Sequence, residues 1–251
     1  MSGAALGLPW RTRAAIFLRL LAVQGSWNYE TMLGNGMAFA LEPALRLLPG
    51  GPGGAAYRAA LAREGAYFNA HPYLASVAVG ALARAELDGE APERIERFRT
   101  ACCGPLGSVG DRLVWAAWLP ACSLLALAAW GLGASATGVL LLFLGSYNAG
   151  HVALRVWGLH AGYRDGFRVA NALGAPVLRH GPAYVSRAAA LLAGLALPLA
   201  VQGVVGPEPG TLWIATSAAG AVALARLHGR VEGWRLAVVG LAAFLVLSAV
   251  R

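Results

Sequence analysis

Five apolar runs in the second half of the chain constrain its fold more than any other feature. They cover residues 113–132, 136–154, 188–205, 211–225 and 236–250. A helix crosses the hydrocarbon of a bilayer with about 20 apolar residues, and hydrocarbon accepts only structures that satisfy their own backbone hydrogen bonds. The chain has 58% hydrophobic and 13% charged residues, whereas a soluble domain has about 25% charged residues. The sequence therefore predicts an all-α integral membrane protein with about five membrane-embedded helices in its C-terminal half.

The first half of the chain has a different pattern, in which polar residues interrupt apolar stretches. Residues 13–23 predict an amphipathic helix. Residues 27–48 and 68–85 are apolar on average but contain polar groups that do not suit contact with lipid. We therefore expect broken or re-entrant helices there, buried in protein or lining a wet cavity. Between them, residues 49–54 read PGGPGG and predict a flexible turn.

Charged residues indicate how the chain is oriented. Residues 86–99 are highly charged and predict a solvated cytoplasmic helix that begins near Pro92. The basic residues are all arginine, give a formal net charge of +8 and cluster in alternate connections between the apolar runs. By the positive-inside tendency these connections face the cytoplasm, where they meet anionic lipid head groups. No platform of aromatic and basic residues is visible, so nucleic acid is not an expected partner.

We expect residues 1–251 to form a single membrane-embedded subunit. Its composition changes near residue 112, which divides it into a motif-rich N-terminal half (10–112) and a transmembrane helical half (113–251).

Residues 24–30 read QGSWNYE and combine aromatic, amide and carboxylate groups. Sugars are bound by planar amides and carboxylates that pair adjacent hydroxyls, while an indole covers the apolar face of the ring. Trp27, Asn28 and Glu30 supply these groups. In the alternative interpretation, Trp27 and Tyr29 belong to an interfacial aromatic belt and Asn28 caps a helix with Glu30 in its first turn. Both interpretations remain open at this point.

Residues 68–74 read FNAHPYL and place a histidine in an apolar environment. His71 is able to hydrogen-bond a sugar hydroxyl or to act as a phosphorylated relay. The alternative is structural, with Asn69 as the N-cap of a helix whose first turn contains Pro72.

Residues 104–111 read GPLGSVGD and predict a hinge that enters the first long apolar run. Glycine permits a close backbone approach or a left-handed turn, and Asp111 either caps the following helix or faces a pathway. The segment lacks the G-x-x-x-x-G-K-[ST] pattern of a nucleotide phosphate loop. The residues assigned to the hinge are Gly104, Pro105, Gly107 and Gly110.

Asn148, His151 and Arg155 recur at helical spacing in the second apolar run. Such a polar stripe on a membrane helix faces a partner helix or a cavity rather than lipid. No G-x-S-x-G, H-E-x-x-H or C-x-x-C pattern occurs. We therefore expect no catalytic residues, no metal and no cofactor.

The motifs, in this order, resemble those of the IID (D) component of the mannose/fructose/sorbose family of the phosphoenolpyruvate-dependent sugar phosphotransferase system. The matching segments are residues 24–30, 67–74, 103–111 and 155–166. The resemblance covers roughly residues 10–169 and implies a bacterial cytoplasmic (inner) membrane location with several passes. The chain departs from the family pattern at Leu119, where an arginine is expected, and at Arg112, which adds a charge slightly earlier.

The resemblance implies that IID forms a membrane complex with a IIC subunit and that this complex moves a hexose inward. Separate IIA and IIB components relay phosphate, and IIB phosphorylates the incoming sugar, so IID itself is neither phosphorylated nor catalytic in isolation. Residues expected to line or support the path are Trp27, Asn28, Glu30, Asn69, His71 and Asp111. Two other interpretations remain. The chain is a non-transporting regulatory or scaffolding member of the family, or a stand-alone membrane enzyme that uses His71 or Asp111 on a lipid.

Overall fold

The computed structural model describes residues 7–168, 174 and 176–205, and its regular elements there are helices. The α-helices are α1 (Trp10–Leu20), α2 (Gly34–Leu45), α3 (Ala55–Glu64), α4 (Ala75–Leu87), α5 (Pro92–Gly110), α6 (Leu119–Gly131), α7 (Ala136–Asp165) and α8 (Pro176–Val205). A π-helix, Asp111–Trp118, joins α5 to α6, and short 3-10 helices cover Gly51–Gly53 and Gly166–Arg168. The predicted all-helical class is therefore confirmed for the described residues.

The chain forms two compact units. Unit 1 comprises the described residues within 1–122 and 142–189, and unit 2 comprises those within 123–141 and 190–251. All of the motifs lie in unit 1. In unit 2 the end of α6 packs against α8, because Gly131 lies directly against the side chain of Leu199. The division near residue 112 stays a prediction about how the subunit is organised.

Helix α1 is the amphipathic helix that the sequence predicts, shifted toward the N-terminus. It begins at Trp10 because Pro9, with φ −52° and ψ 140°, ends the extended segment before it. One face buries Ile16 and Leu20 completely, whereas Trp10 and Leu18 are exposed on the other. The burial pattern thus matches the periodicity of the sequence.

The two interrupted apolar stretches are broken, as predicted. Turns occupy residues 27–33, and α2 then has 12 residues, which is about 18 Å and too short to cross a bilayer. Helix α4 has 13 residues, and its stretch from residue 75 to 83 is buried throughout. It is the central helix of unit 1. Whether either element re-enters the membrane stays a prediction.

The helix predicted within residues 86–99 begins at Pro92 as expected, but the prediction that the charged residues of this stretch are solvated fails at Glu86 and Arg99. Helix α4 ends at Leu87, the chain turns at Gly89 with φ 69°, and α5 then begins at Pro92 as expected. Glu86 and Arg99 are 6% and 4% exposed. Composition suggests solvent exposure here, but each of these charges pairs with an oppositely charged residue on α3.

Of the two alternatives for the glycines of residues 104–111, a close backbone approach or a left-handed turn, the turn does not occur. Helix α5 contains Pro105 and continues to Gly110, and no glycine of this segment has a positive φ. Glycine adopts helical torsions as well as left-handed ones, and burial of Leu106 and Gly110 holds α5 against the rest of unit 1. The first predicted membrane run, residues 113–132, therefore begins within a longer helix.

Two helices in the described part of the chain are long and apolar enough to cross a membrane. They are Pro92–Gly131, with 40 residues, and Ala136–Arg168, with 33 residues, and they contain 18-residue stretches whose mean hydropathy is 1.7 and 1.3, respectively. The second helix exposes a series of apolar side chains, as a lipid-facing helix does: Leu140, Leu141, Leu142, Leu144, Val152 and Val156. Helix α8 covers the third predicted run and begins earlier, at Pro176. The fourth and fifth runs lie outside the described residues, so the number of spans stays a prediction.

Three glycines allow α4 and α7 to pack backbone to backbone. A Cβ atom at Gly80 of α4 would overlap the carbonyl oxygen of Leu159 on α7. In the other direction, a Cβ atom at Gly158 or Gly162 would overlap atoms of Ser76 and Val77 on α4. Small residues at such positions are typical of closely packed membrane helices. The contact therefore has no room for a side chain at either glycine of α7.

A buried cluster of two arginines and two glutamates joins α3, α4 and α5. Arg63 donates a bidentate pair of hydrogen bonds to Glu86, with Nη2 at 2.8 Å from both carboxylate oxygens. Arg99 donates to the carboxylate of Glu64 and, through Nη2, to the carbonyl oxygen of Ala66 at 2.9 Å. Burial raises the pKa of Glu64, the Arg99 guanidinium opposes the shift, and the Glu86 carboxylate adds to it. Through its hydrogen bonds to Glu64 and Ala66, Arg99 holds the connection between α3 and residues 68–74 in place.

Substitution of Gly162 by alanine is expected to lower the stability of the protein by about 1–3 kcal/mol, because the added methyl group must displace the α4 backbone. Gly145 of the same helix provides the matched control, since a Cβ atom there meets no atom within 4 Å. Gly145→Ala is expected to be neutral or slightly stabilising, because alanine favours the helix. Unfolding followed in detergent measures both. Equal effects of the two substitutions would contradict the packing argument.

Substitution of Arg99 by leucine is expected to destabilise the protein by about 3–5 kcal/mol, because it leaves the Glu64 carboxylate buried without its partner. Arg94, on the same helix, pairs with Glu90 at the surface, where the two side chains are 56% and 30% exposed. Arg94→Leu is therefore expected to cost less than about 1 kcal/mol. Chemical unfolding in detergent micelles compares the stability of the variants. A similar loss of stability for both would show that the buried cluster contributes no more than the surface ion pair.

Candidate functional site

Backbone hydrogen bonds bring the first two motifs together. The Phe68 amide donates to the carbonyl oxygen of Thr31 at 3.2 Å, and the Leu33 amide donates to the carbonyl oxygen of Phe68 at 2.9 Å. Met32, between the two partners, has a φ of 52°, which is uncommon for a residue with a side chain. Residues 27–33 and 67–69 therefore form one bonded structure, although they are far apart in the sequence.

Asn28 organises the turn that carries the first motif. Its Oδ1 accepts hydrogen bonds from the amides of Glu30 and Thr31 at 2.9 and 2.8 Å, and its Nδ2 donates to Thr31 Oγ1 at 2.8 Å. Helix α2 begins only at Gly34 and has no side-chain cap, so the interpretation of Asn28 as a helix cap is wrong. The turn presents its neighbours outward, with Glu30 exposed and Trp27 45% exposed.

The exposed indole of Trp27 is supported from the side. Its ring packs edge-on against Tyr29, with ring centroids 4.8 Å apart, and Tyr29 is itself 85% exposed. An exposed aromatic pair next to a carboxylate is able to hold a polyhydroxylated ring, because the ring stacks on the indole while its hydroxyls donate to the carboxylate. The same pair also suits a contact with another subunit.

His71 is buried, with 1% of its surface exposed. Its Nδ1 accepts a hydrogen bond from the Tyr73 amide at 3.2 Å. Burial, and secondly the positive charge of Arg155, lower the pKa of His71 to about 4, so the ring is neutral at physiological pH. Because Nδ1 is an acceptor, the proton of the neutral ring is on Nε2, which is buried and has no hydrogen-bond partner in the described part of the chain. His71 therefore offers one inward-facing donor, whereas its burial is unfavourable for access by a phosphoryl donor.

Asn69 and Asp111 flank this buried histidine on exposed surface. Helix α4 begins at Ala75 without a side-chain cap, so the interpretation of Asn69 as its N-cap is wrong. Asp111 follows Gly110, where a Cβ atom would overlap the His71 ring. The close approach that the glycine-rich segment allows is thus found at Gly110. At Gly104 and Gly107 a Cβ atom meets nothing within 4 Å.

Trp115 also belongs to this region, although the sequence around it does not mark it as a site residue. Its ring centroid lies 5.1 Å from that of His71, on the π-helix that begins at Asp111. Short π-helical segments are frequent at functional sites. Within an apolar run, a tryptophan that contacts a histidine has the same sequence signature as one that faces lipid.

Tyr73 connects the second motif to the polar stripe of α7. Its ring stacks on His151 with centroids 4.4 Å apart, and its hydroxyl lies 2.7 Å from that of Tyr147. The guanidinium of Arg155 lies 4.9 Å from the centre of the same ring and donates to the carbonyl oxygen of Leu20 at the end of α1. The prediction that this stripe faces a partner element is confirmed for His151 and Arg155.

Buried polar atoms converge around Tyr73. His71 Nε2, His151 Nε2 and Arg155 Nε are each buried without a hydrogen-bond partner among the described residues. Buried polar groups in proteins are almost always hydrogen-bonded, so this cluster is suited to bind a hydroxyl-bearing molecule. In the residues that the structure describes, no group of three His, Cys, Asp or Glu side chains is placed to hold a metal ion.

Comparison with known proteins assigns the family. Residues 8–183 match the family described as PTS system mannose/fructose/sorbose family IID component. The chain is 32% identical over 176 residues to the PTS system mannose-specific EIID component of Escherichia coli K12, which covers 65% of this chain and 59% of that protein. It is 31% identical over 163 residues to the fructose permease IID component of Bacillus subtilis 168, with 62% and 57% covered. The chain thus spans about three fifths of the length of these curated relatives.

Two solved structures share the fold. A chain in the cryo-EM structure of the mannose transporter ManYZ with microcin E492 superposes with a TM-score of 0.59 at 22% identity, covering 96% of this chain and 97% of that chain. A second structure, described as a membrane protein, gives a TM-score of 0.67 at 22% identity with the same coverage. At this identity the likeness establishes the fold alone. Because the family match covers well over half of the chain, the protein belongs to the mannose/fructose/sorbose family of phosphotransferase-system IID components, which are membrane proteins.

Proposed function

We propose that this chain is the IID subunit of a mannose-type sugar permease in the bacterial inner membrane. Together with a IIC subunit it forms the path through which a hexose enters, and the IIB component, supplied with phosphate by IIA, phosphorylates the sugar. The observation that carries the proposal is the backbone pairing of Phe68 with Thr31 and Leu33, because it unites the two motifs with sugar-binding chemistry. The named relatives act on mannose and fructose, and a structure with this fold is a mannose transporter.

The turn of residues 27–30 has the chemistry of a sugar contact. Glu30 is exposed, and its two carboxylate oxygens are able to accept hydrogen bonds from adjacent hydroxyls. Trp27 presents an indole face, and Asn28 uses its amide to hold the turn rather than to bind sugar directly. In this proposal Glu30 and Trp27 contact the hexose, whereas Asn28 is a positioning residue.

The buried part of the site contributes from the other side. In the proposal, His71 Nε2–H donates to a sugar hydroxyl or to a bridging water, while Asn69 and Asp111 supply exposed amide and carboxylate groups along the path. Gly110 sets the distance between His71 and Asp111 because the helix approaches the imidazole without an intervening side chain. The site therefore combines one fixed internal donor with several surface acceptors.

The exposure of these groups supports a IIC partner. Glu30, Asn69 and Asp111 are exposed on this chain, yet a transported sugar must lose most of its contact with bulk water to be bound selectively. A second subunit that covers this surface supplies the missing wall. The exposed Trp27 and Tyr29 suit that interface, since aromatic residues are enriched at the centre of protein interfaces.

Substitution of Glu30 by glutamine is expected to weaken sugar binding by about 10- to 100-fold, because hydrogen bonds to a charged acceptor contribute about 1.5–3 kcal/mol. Uptake of labelled mannose by cells that carry the complete permease measures the effect, with membrane levels of the subunit checked by immunoblot. Glu93→Gln is the matched control, since Glu93 is an exposed carboxylate in the first turn of α5. Normal uptake by the Glu30 variant would remove this residue from the site.

Asn28 provides a separate test of positioning. Asn28→Asp keeps the acceptor oxygen for the Glu30 and Thr31 amides, whereas Asn28→Ala removes all hydrogen bonds of the Asn28 side chain. We expect the aspartate variant to retain several-fold more uptake than the alanine variant, because loss of a buried or half-buried hydrogen-bonding group costs about 1–3 kcal/mol. Equal uptake by the two variants would contradict a positioning role for Asn28.

Co-expression with a IIC subunit from the same organism tests the proposal as a whole. We expect the two subunits to copurify and the thermal stability of the complex in detergent to rise with one hexose, because a ligand that binds only the folded state stabilises it. A stable complex that responds to no hexose would support the non-transporting regulatory alternative. Failure to copurify, or lipid-directed activity of the isolated subunit that His71→Ala abolishes, would overturn the proposed function.

A further inference from the structure

A cavity of about 290 Å³ lies where the segment before α1, α1 itself, α4 and the end of α7 meet. It is remote in sequence from the residues assigned to the sugar path. Its charged lining consists of Arg13, Arg84 and Arg164, with His160 beside them, and its apolar lining includes Leu8 and Leu159. Among the described residues, no carboxylate lines the cavity. The cavity therefore combines three guanidinium groups from three elements with an apolar wall.

Two of the three arginines of the cavity, Arg13 and Arg84, are held by backbone carbonyl groups. Arg13 Nη2 donates to the carbonyl oxygen of Leu8 at 3.2 Å, and Arg84 Nη1 donates to the carbonyl oxygens of Tyr163 and Arg164 near the C-terminal end of α7. A carbonyl acceptor fixes a guanidinium without neutralising its charge. The cavity therefore keeps a cationic character that is fixed in position.

Two carboxylates outside the lining reduce this charge in part. Asp88 accepts from Arg84 Nε at 3.2 Å and its side chain is 47% exposed, and Asp165 accepts from Arg164 Nε at 2.7 Å. Asp88 lies one helical turn after Arg84, and Asp165 directly follows Arg164 in the sequence. Arg13 has no ion pair to a carboxylate among the described residues. An anion in the cavity would meet the full charge of Arg13 and the remaining donors of the other two arginines.

The surroundings of the cavity are those of a membrane interface. Leu159, His160 and Arg164 lie in the last turns of the membrane-length helix Ala136–Arg168. Helix α1 begins next to the cavity with Trp10, which is 73% exposed and has the Arg11 guanidinium 5.6 Å from the centre of its ring. Tryptophan and arginine at the end of an apolar helix mark the level of the lipid head groups.

We propose that this cavity binds the phosphate ester of an anionic membrane lipid. The phosphate oxygens accept charge-assisted hydrogen bonds from Arg13, Arg84 and Arg164, a geometry for which guanidinium groups are well suited. The glycerol and the first part of an acyl chain lie against Leu8 and Leu159. A soluble phosphate ester has the same anionic group, but it leaves the apolar wall uncovered. The bound lipid holds α1, α4 and α7 together.

The test uses the full chain purified in a neutral detergent. Phosphatidylglycerol, phosphatidylcholine and inorganic phosphate are added separately, and the unfolding temperature and the retention of lipid in native mass spectrometry are measured. We expect phosphatidylglycerol to raise the unfolding temperature by several degrees and to stay bound, whereas phosphatidylcholine and millimolar phosphate do neither. An equal effect of phosphate would assign the site to soluble phosphate esters, and an equal effect of phosphatidylcholine would show that the anionic head group is not recognised. Either result overturns the proposal.

Variants separate the cavity from general electrostatic attraction. Arg13→Gln combined with Arg164→Gln is expected to abolish most of the phosphatidylglycerol effect. Arg58→Gln combined with Arg112→Gln removes the same charge from two exposed arginines elsewhere and is expected to leave it intact. Equal loss in both double variants would overturn the proposal.

A single variant, Arg164→Gln, keeps the test available if the double variant does not fold, because this side chain is 64% exposed. We expect Arg164→Gln to reduce lipid retention severalfold. Retention at the wild-type level would count against the site. No sugar enters these measurements, so their outcome is independent of the proposed transport function.

Discussion

The close approach of α4 and α7 is the constraint on which the rest of unit 1 depends. Gly80, Gly158 and Gly162 remove the side chains from this contact, so the separation of the two helices is set by their backbones. Arg155 lies almost one turn before Gly158 on the same side of α7, and this position directs its guanidinium to the carbonyl oxygen of Leu20 and to the ring of Tyr73. The glycines set the separation of α4 and α7, and this separation determines which groups the Arg155 guanidinium reaches. The spacing of Arg155 and these glycines in the sequence therefore has a structural reason.

Two buried arginines hold the second motif from opposite ends. Arg99 bonds the chain at Glu64 and Ala66, just before Phe68, and Arg155 contacts Tyr73 at the other end. Arginine suits this task because its five donors satisfy several carbonyl and carboxylate acceptors at once without losing the proton. The segment between them contains His71 and needs no regular secondary structure to stay in place. Its conformation depends on these tertiary contacts more than on its own propensity.

The features that the sequence predicts correctly are those that local pattern decides. Periodicity identifies α1, Pro92 marks the start of α5, and polar residues within apolar stretches indicate that α2 and α4 are not spanning helices. The errors concern tertiary partners. Glu86 and Arg99 look solvated by composition, but their partners lie 23 and 35 residues away. The glycines before Asp111 are compatible with a turn or a helix. The packing of Gly110 against His71 determines that the segment is a helix. For Asn28, a cap and a turn use the same side-chain atoms, so sequence alone could not distinguish them.

The distribution of burial divides the proposed site into two parts with different physical tasks. His71, Gly110 and Arg155 are buried and belong to the interior of unit 1, with α4 at its centre. Trp27, Glu30, Asn69 and Asp111 are exposed and are carried on turns or at a helix junction next to that interior. Rigid support beneath exposed polar groups lets a partner subunit and a sugar meet a preformed surface, so less conformational freedom is lost on binding. Substitutions of Gly110 and Arg155 should therefore act through folding, and those of the exposed group through assembly and transport.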